Sequence, residues 1–496
     1  MKKFSRRLAV LLGAVILMLA SVVVAEIKTY TGVGECVAGD LVPLDRAKDY
    51  ARLRAELHAK KQAGEYIVSY TSVQNSRLTE NEISVMTNSI VNIVGEVDYR
   101  RESMMWGDSP VLKFTATLRA NINTDGISAY LQRRRGDENG AVSQIQSGER
   151  EITDGLNKVD TLNERYRSAK TQQEKDAIRA EYSQADREVL AGQKLAEGYA
   201  FYNQGKYSEA IECYTQALEL NQNYAAAYTN RGTAYQKLND HELAIADYTK
   251  VIELNPNESW AYTIRGFAYA ILNDYENTIA DLNKVLELNP NNLEAYNNRG
   301  TAYAILNDYE HAIADYTKVI EIDPSNTDTY CDRGEAYLRL NDYKRAVADY
   351  TRAIELNPRD SYAYVKRGVA FYTMKDYESA IVDYTKAIEF NPNEASSYRL
   401  RGITYSDLRY YDRAITDYTR AMKLEPNYIL DYYIRAIAYA HLKDYEYAIA
   451  DYNKALELNP NFAAAYNNRG LCYRMLGETA KAEADFAKAR ALGYTG

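Results

Sequence analysis

The chain is poor in the residues that usually carry chemistry. Among 496 residues there are 4 cysteines, 4 histidines and 2 tryptophans. Cys36, Cys213, Cys331 and Cys472 form no CxxC pair and no short loop, which excludes a disulfide-stapled small domain and a cysteine-rich zinc site. His58, His241, His311 and His441 never fall at ligand spacing, so no metal is expected. Gly32-Val33-Gly34 lacks the further glycine of a nucleotide-binding loop. No serine or cysteine sits in a nucleophile elbow. No catalytic residue and no cofactor are therefore expected. Positive charge is also short: 60 basic against 69 acidic residues, a formal charge of −9. A phosphate-backbone surface, and hence a nucleic-acid partner, is not expected.

A long apolar run lies at residues 8–24, behind Lys2, Lys3, Arg6 and Arg7. Val23, Val24 and Ala25 place small residues before Glu26. That pattern predicts an export signal over 1–25. Cleavage would remove four basic residues and take the formal charge from −9 to −13. The run is also long enough to stay uncleaved as an inner-membrane anchor. Both readings put residues 26–496 outside the cytoplasm, in a periplasm or cell envelope. No cysteine follows the cleavage point, so a lipoprotein is not expected.

What the chain has in excess is tyrosine and repetition. There are 47 tyrosines against 8 phenylalanines. Arg-Gly recurs at 231–232, 265–266, 299–300, 333–334, 367–368, 401–402 and 469–470, with Arg435-Ala436 in the remaining slot, so each step is 34 residues. Pro256, Pro290, Pro324, Pro358, Pro392, Pro426 and Pro460 keep the same beat and use seven of the nine prolines. A fixed period of this length means a stacked repeat. With Ala225 at position 1, nine units fit: 191–224, 225–258, 259–292, 293–326, 327–360, 361–394, 395–428, 429–462 and 463–496.

Each unit reads as two helices. Residues 225–238 are apolar at helical spacing, Asn239-Asp240 is a turn signal, and residues 243–254 form the second helix. Pro256 stops it. Gly232 and Ala244 remove bulk where the two helices approach. Tyrosines at positions 4, 11, 17 and 24 number 29 of the 47; they are read as packing framework rather than a ligand surface. Arg at position 7 and Asp at position 23 occur together in eight units and vanish together in the first, which carries Glu197 and Cys213. That covariation within one chain predicts a salt bridge between the helices of each unit, weak if exposed.

The set Tyr228, Arg231, Gly232, Tyr235, Ala244, Tyr248 and Pro256, repeated as Tyr296, Arg299, Gly300, Tyr303, Ala312, Tyr316 and Pro324, resembles the signature of the tetratricopeptide repeat. Tyr stands for the family's usual Trp and Phe, and Arg for its usual Leu. Thr278 and Leu282 make the third unit the weakest match. The resemblance implies a mainly α fold, an α-α superhelical solenoid whose first helices line a concave face.

On those helices positions 2, 5, 9 and 12 share one stripe. The stripe varies while the framework does not. It carries Trp260, Thr263, Phe267 and Ala270; Glu294, Asn297, Thr301 and Ala304; Asp328, Cys331, Glu335 and Leu338; Tyr362, Val365, Val369 and Tyr372; then Leu430, Tyr433, Ile437 and Ala440. Two aromatic-apolar stretches flank an acidic one. This predicts a groove for a protein or peptide segment with apolar anchors and a basic spacer. The candidate contacts are Trp260, Phe267, Asp328, Glu335, Tyr362, Val365, Val369, Tyr372, Leu430, Tyr433 and Ile437. The competing reading is that these side chains merely pack on the adjacent unit. The Lys and Asn set with which chaperone-binding members of the family clamp a peptide carboxylate is absent.

Residues 26–135 form a different module. Strands are expected over 26–38, 65–74, 91–99 and 111–122, a helix over 43–62, a capped helix opening at Thr79 and Glu82, and a closing helix over 125–135. This α+β domain, through AKDYARLRAELHAKKQAGEYIVSY and LTENEISVMTNSIVNIVGEV, resembles the small domain that opens several bacterial envelope proteins, including flagellar assembly protein T. Residues 136–140 read as a hinge, and the rest of 136–190 as a connector of paired helices with a short coiled-coil seam as the alternative. The whole is read as a non-catalytic interaction scaffold of the bacterial envelope. A self-assembling spacer and an accessory subunit of a motility or secretion machine are the alternatives. The oligomeric state is left open.

Overall fold

The computed structural model of the protein describes residues 27–73, 91–106, 109–123 and 141–495. The expected export signal, the helix at 79–82 and beyond, the helix over 125–135 and the hinge at 136–140 lie outside them. The chain divides into two compact units after Ala261.

The first unit opens with a three-stranded antiparallel sheet in the order β1-β3-β2. β1 is Ile27–Ala38, β2 Val91–Trp106 and β3 Ser109–Asn123. Cys36 pairs with Phe114 and Gly34 with Ala116 across β1 and β3. The β2–β3 ladder slips between Val94 and Asp98, where Gly95 takes φ +80°. Alternation along β3 puts Phe114, Ala116, Leu118 and Ala120 into the core, as its period-2 pattern requires.

Helix α1, Leu44–Val73, lies across that face and buries Ala47, Tyr50, Ala51, Ala55 and Ala59. It comes unusually close to the sheet. A Cβ on Gly32 would fall 1.9 Å from the carbonyl oxygen of Ala55, and one on Gly34 2.2 Å from that of Ala51. The two glycines serve this approach. The strand expected over 65–74 does not form, because α1 runs on through Val73. Its β-branched residues favour a strand only where a sheet neighbour is available. Between 62 and 65 the only interruption is Gly64, which weakens a helix without ending it.

Helices α2, Ala141–Ser168, and α3, Gln172–Asn203, form an antiparallel pair. Thr171 caps α3 and Glu174 returns the bond, a complete capping box. The pair contributes Ile152, Leu156, Val159, Leu162, Ile178, Ala185 and Val189 to the same core as the sheet and α1. Arg46 donates from Nε to Asp186 at 2.8 Å, and the Tyr50 hydroxyl donates to the same carboxylate. The connector is thus packed onto the α+β module, so the coiled-coil alternative is not needed to bury its seam. α3 also runs unbroken into the first repeat, where Gly198 sits under the ring of Tyr214. That ring is on α4, Tyr207–Leu220. α5, Ala225–Lys237, and α6, His241–Leu254, follow.

The division falls in the first turn of α7, Ser259–Ile271. Beyond it come α8 (Tyr275–Leu288), α9 (Leu293–Ile305), α10 (Tyr309–Ile322), α11 (Thr327–Arg339), α12 (Tyr343–Leu356), α13 (Ser361–Thr373), α14 (Tyr377–Phe390), α15 (Ala395–Asp407), α16 (Tyr411–Leu424), α17 (Ile429–His441), α18 (Tyr445–Leu458), α19 (Ala463–Met475) and α20 (Thr479–Ala491). Within this second unit each helix packs on the ones before and after it, and the first helices of adjacent repeats also touch. That is a solenoid.

One turn geometry joins the two helices of a repeat. The residue at position 15 is left-handed every time: Asn239 (φ 64°), Asn273, Asn307, Asn341, then Lys375, Arg409 and Lys443. Asp274, Asp308, Asp342 and Asp376 follow as N-caps, each accepting from the third backbone N–H of its helix. Tyrosine at position 24 then packs under glycine at position 8. A Cβ on Gly300 would be 2.8 Å from Cε1 of Tyr316, and one on Gly402 2.6 Å from that of Tyr418.

The candidate partner-binding face

The arginine of position 7 anchors the first helix of a repeat. Arg299 donates from Nε and Nη2 to both oxygens of Asp315, at 2.8 and 2.6 Å. The same two-pronged pair forms at Arg231/Asp247, Arg265/Asp281, Arg333/Asp349, Arg367/Asp383, Arg401/Asp417, Arg435/Asp451 and Arg469/Asp485. These are not the weak exposed pairs that the composition allows: the side chains of Arg299 and Asp315 are 19% and 6% exposed. A third prong was unforeseen. Nη1 donates backwards to the preceding repeat, from Arg333 to Thr317 at 2.9 Å, from Arg367 to Thr351 at 3.0 Å and from Arg299 to Asn283 at 2.6 Å. The signal was available, since Thr or Asn stands at position 25 in all of these repeats.

With position 7 held, position 2 turns outward, and so does position 9 at Phe267. Phe267 is 61% exposed, Tyr362 50%, Leu430 47% and Trp260 40%. Trp260 donates its indole N–H to Glu258 at 2.9 Å. Asp328 is exposed, while Glu335, Val369 and Ile437 are half-buried. Position 5 turns inward instead. Val365 is buried. Tyr433 is clasped between Phe462 and Tyr452, with ring centroids 4.7 and 6.0 Å away, and its hydroxyl accepts from Asn468. Tyr372, at position 12, donates to Asp407 of the next repeat at 2.7 Å. The eleven candidates thus divide: some present a surface, others also join repeats.

Arg399 stands at position 5 of α15 and is held by two carboxylates. It is fully committed. Nε and Nη2 reach Asp431 at 2.5 and 2.9 Å, Nη2 also reaches Glu425 at 2.8 Å, and the guanidinium lies 3.9 Å from the ring centre of Tyr428. Asp431 is completely buried. The sequence did not reveal this node, because it occurs once and off the repeated positions.

The acidic stretch lies on α11. Burial pushes the Glu335 carboxyl up, but Lys366 at 2.7 Å and Arg339 at 3.1 Å outweigh that and hold it below the usual range. Asp332 is different. Partial desolvation, then repulsion from Asp328 and Glu335, pushes it up to about 6. Burial and the surrounding carboxylates, Asp360 first, push the Cys331 thiol up to about 12, and burial pushes Cys472 up to about 11. Thiols so protonated are poor nucleophiles at neutral pH. All four cysteines are free and buried. Among the described residues no group of three His, Cys, Asp or Glu is arranged to hold a metal, and no helix is long and apolar enough to cross a membrane.

Comparison with known proteins agrees with this geometry. Models of the tetratricopeptide repeat match residues 198–239, 225–258, 259–292, 293–326, 331–395, 395–428, 431–462 and 451–484. A curated relative, the DnaJ homolog subfamily C member 7 homolog of Schizosaccharomyces pombe, is 40% identical over 62 residues, 12% of this chain and 13% of that protein. The chain therefore spans only a small part of that relative. Among solved structures, MamA is 27% identical, with 32% of this chain and 94% of MamA covered and a TM-score of 0.32. YrrB, described as a TPR protein with an unusual peptide-binding site, is 24% identical, with 37% and 95% covered and a TM-score of 0.33. A tetratricopeptide repeat protein from Parabacteroides merdae is 22% identical, with 50% and 98% covered and a TM-score of 0.37. The family models together cover more than half of the chain, which belongs to the tetratricopeptide repeat family.

Proposed function

We infer that the protein is a non-catalytic scaffold that holds a segment of another protein along the first helices of its repeats. Tetratricopeptide repeats are typically non-catalytic surfaces for protein–protein interaction. The observation that carries the reading is the set of large apolar side chains left in solvent on those helices, Phe267, Tyr362 and Leu430, on a frame in which most position-24 tyrosines are buried. A set of exposed large apolar side chains favours a partner. The acidic stretch between them favours a segment with a basic spacer. Val365 and Tyr433 would act chiefly by shaping the groove. The basic start and the apolar run at 8–24 support an exported protein of the bacterial envelope.

The test compares the full chain with a variant carrying Phe267→Ala, Tyr362→Ala and Leu430→Ala, both used to capture partners from an envelope extract. A partner held by the parent and lost by the folded variant supports the reading. Equal capture by both overturns the groove, and a concentration-dependent mass in solution would favour the self-assembling spacer.

A further inference from the structure

Tyrosine occupies position 24 in seven repeats, and in the second and fourth its hydroxyl finds a partner on the first helix of its own repeat. Tyr248 donates to Gln236 at 2.8 Å. Tyr316 donates to Thr301 at 3.4 Å. In the fifth repeat the ring of Tyr350 is completely buried and its hydroxyl has no partner. The residues that stand where Thr301 and Gln236 would be are Glu335 and Leu338. Leu338 offers nothing, and Glu335 is held by Lys366 and Arg339. The hydroxyl instead lies in the field of Glu335, Tyr362, Cys331 and Asp332. A buried hydroxyl without a hydrogen bond is a cost that a bound group can relieve.

The same helix carries unbalanced charge. Asp328, Asp332 and Glu335 follow at +4 and +3, on one face of α11. The two cations within reach both go to Glu335. Asp328 and Asp332 have neither an ion pair nor a hydrogen bond from any described side chain, and both are exposed. Desolvation first, and then that excess, raises the Asp332 carboxyl. Tyr384, in the sixth repeat, is also without a partner, but its neighbour Tyr372 is committed to Asp407 and Asp383 to Arg367. Among the described residues, only the fifth repeat joins an unsatisfied hydroxyl to unpaired carboxylates.

We propose that Asp328, Asp332 and the Tyr350 hydroxyl form a subsite for one cationic side chain, a lysine or an arginine, of the protein segment bound along the first helices. A lysine ammonium has three donors for two carboxylates and a phenol oxygen. An arginine presents a fork to the same acceptors. Tyr362, half-exposed beside the subsite, supplies an aromatic wall. The subsite rests on the groove reading above and names the chemistry of its basic spacer.

The experiment selects random twelve-residue peptides displayed on phage against the full chain. Selected peptides are then resynthesised with each lysine or arginine in turn replaced by norleucine. The expected result is a required basic residue whose replacement weakens binding about tenfold at low salt. Asp328→Asn with Asp332→Asn abolishes that difference and leaves the affinity of the norleucine peptide unchanged. Tyr350→Phe reduces the difference about threefold. Each variant is checked for an unchanged or raised melting temperature, as the loss of repulsion predicts. Peptides that bind with no preference for a basic residue, or whose preference survives the double Asn variant, overturn the subsite. The groove then stands if Tyr362→Ala and Leu430→Ala still weaken them. A selection that yields no binder overturns the groove and the subsite together.

Discussion

Arg299 and Asp315 meet as fork and carboxylate, two N–H donors to two oxygens at 2.8 and 2.6 Å, while the third nitrogen reaches Asn283 in the repeat before. The guanidinium also lies 5.6 Å from the ring centre of Tyr296. Breaking such a half-buried pair from one side leaves an uncompensated charge. Asp315→Asn is expected to destabilise the chain by ~2 kcal/mol, read from urea unfolding. The coupling to Arg299→Met in a double-mutant cycle should exceed ~1 kcal/mol. A coupling near zero would mean the two residues are neighbours without being partners.

Glycine at position 8 differs in value between repeats. At Gly300 a new Cβ would press on Tyr316 at 2.8 Å, so Gly300→Ala should cost ~1 kcal/mol despite its better helix propensity. At Gly266 the partner ring is replaced by Leu282 and the nearest atom is 3.3 Å away, on Asp281. Gly266→Ala should therefore be neutral or stabilising by up to ~1 kcal/mol. Paired melting curves decide. Ala436 already occupies this position in the eighth repeat.

Lys375 stands at φ 65° where four earlier repeats use asparagine. A left-handed residue with a long side chain is strained. Lys375→Gly is expected to raise stability by ~0.5–1 kcal/mol. The same change at Asn341 should give less. If the two changes give equal melting temperatures, strain at Lys375 is not the cause.

Asp332 gives stability a pH dependence of unusual sign. Its carboxyl is raised to about 6 in the folded chain, above the ordinary 3.8 of an aspartate, so between these values the folded state holds a proton that the unfolded state has lost. Stability from this group is present at low pH and falls as pH rises through 6. Asp328, Cys331 and Glu335 on its own helix, Tyr316 on α10 and Tyr350 on α12 are the titratable groups that interact with it. Asp332→Asn should stabilise at pH 8 and make little difference at pH below about 4. The gain is discounted to no more than ~1 kcal/mol because the carboxylate reaches solvent. An effect of the substitution that does not change with pH would rule the titration out.

The repeat architecture was legible because each framework residue acts locally and recurs. Gly300 and Tyr316, or Arg299 and Asp315, sit 16 residues apart in one hairpin, and a fixed period exposes the joint loss of the Arg/Asp pair in the first repeat, where Gly198 and Tyr214 keep the other pair. What stayed hidden acts once or between repeats. Arg399 finds Asp431 and Glu425 across a repeat boundary, at positions where other repeats carry unrelated residues. Lys366 finds Glu335 in the same way. The length of α1 was misjudged because alternating β-branched residues at 65–74 describe a preference that packing of the preceding turns overrides. On the candidate face, spacing identified the stripe but not its division into outward Tyr362 and inward Val365.

The third prong of each arginine has a consequence for how the chain comes apart. A hairpin of 34 residues is the unit copied in the sequence, yet Arg333, Arg367 and Arg401 each tie the second helix of one copy to both helices of the next. Removing one copy strands a hydrogen bond in its neighbour. The nearest-neighbour term of a linear array then grows relative to the intrinsic term, and loss of structure in the second unit should proceed as the unzipping of several hairpins at once rather than one by one.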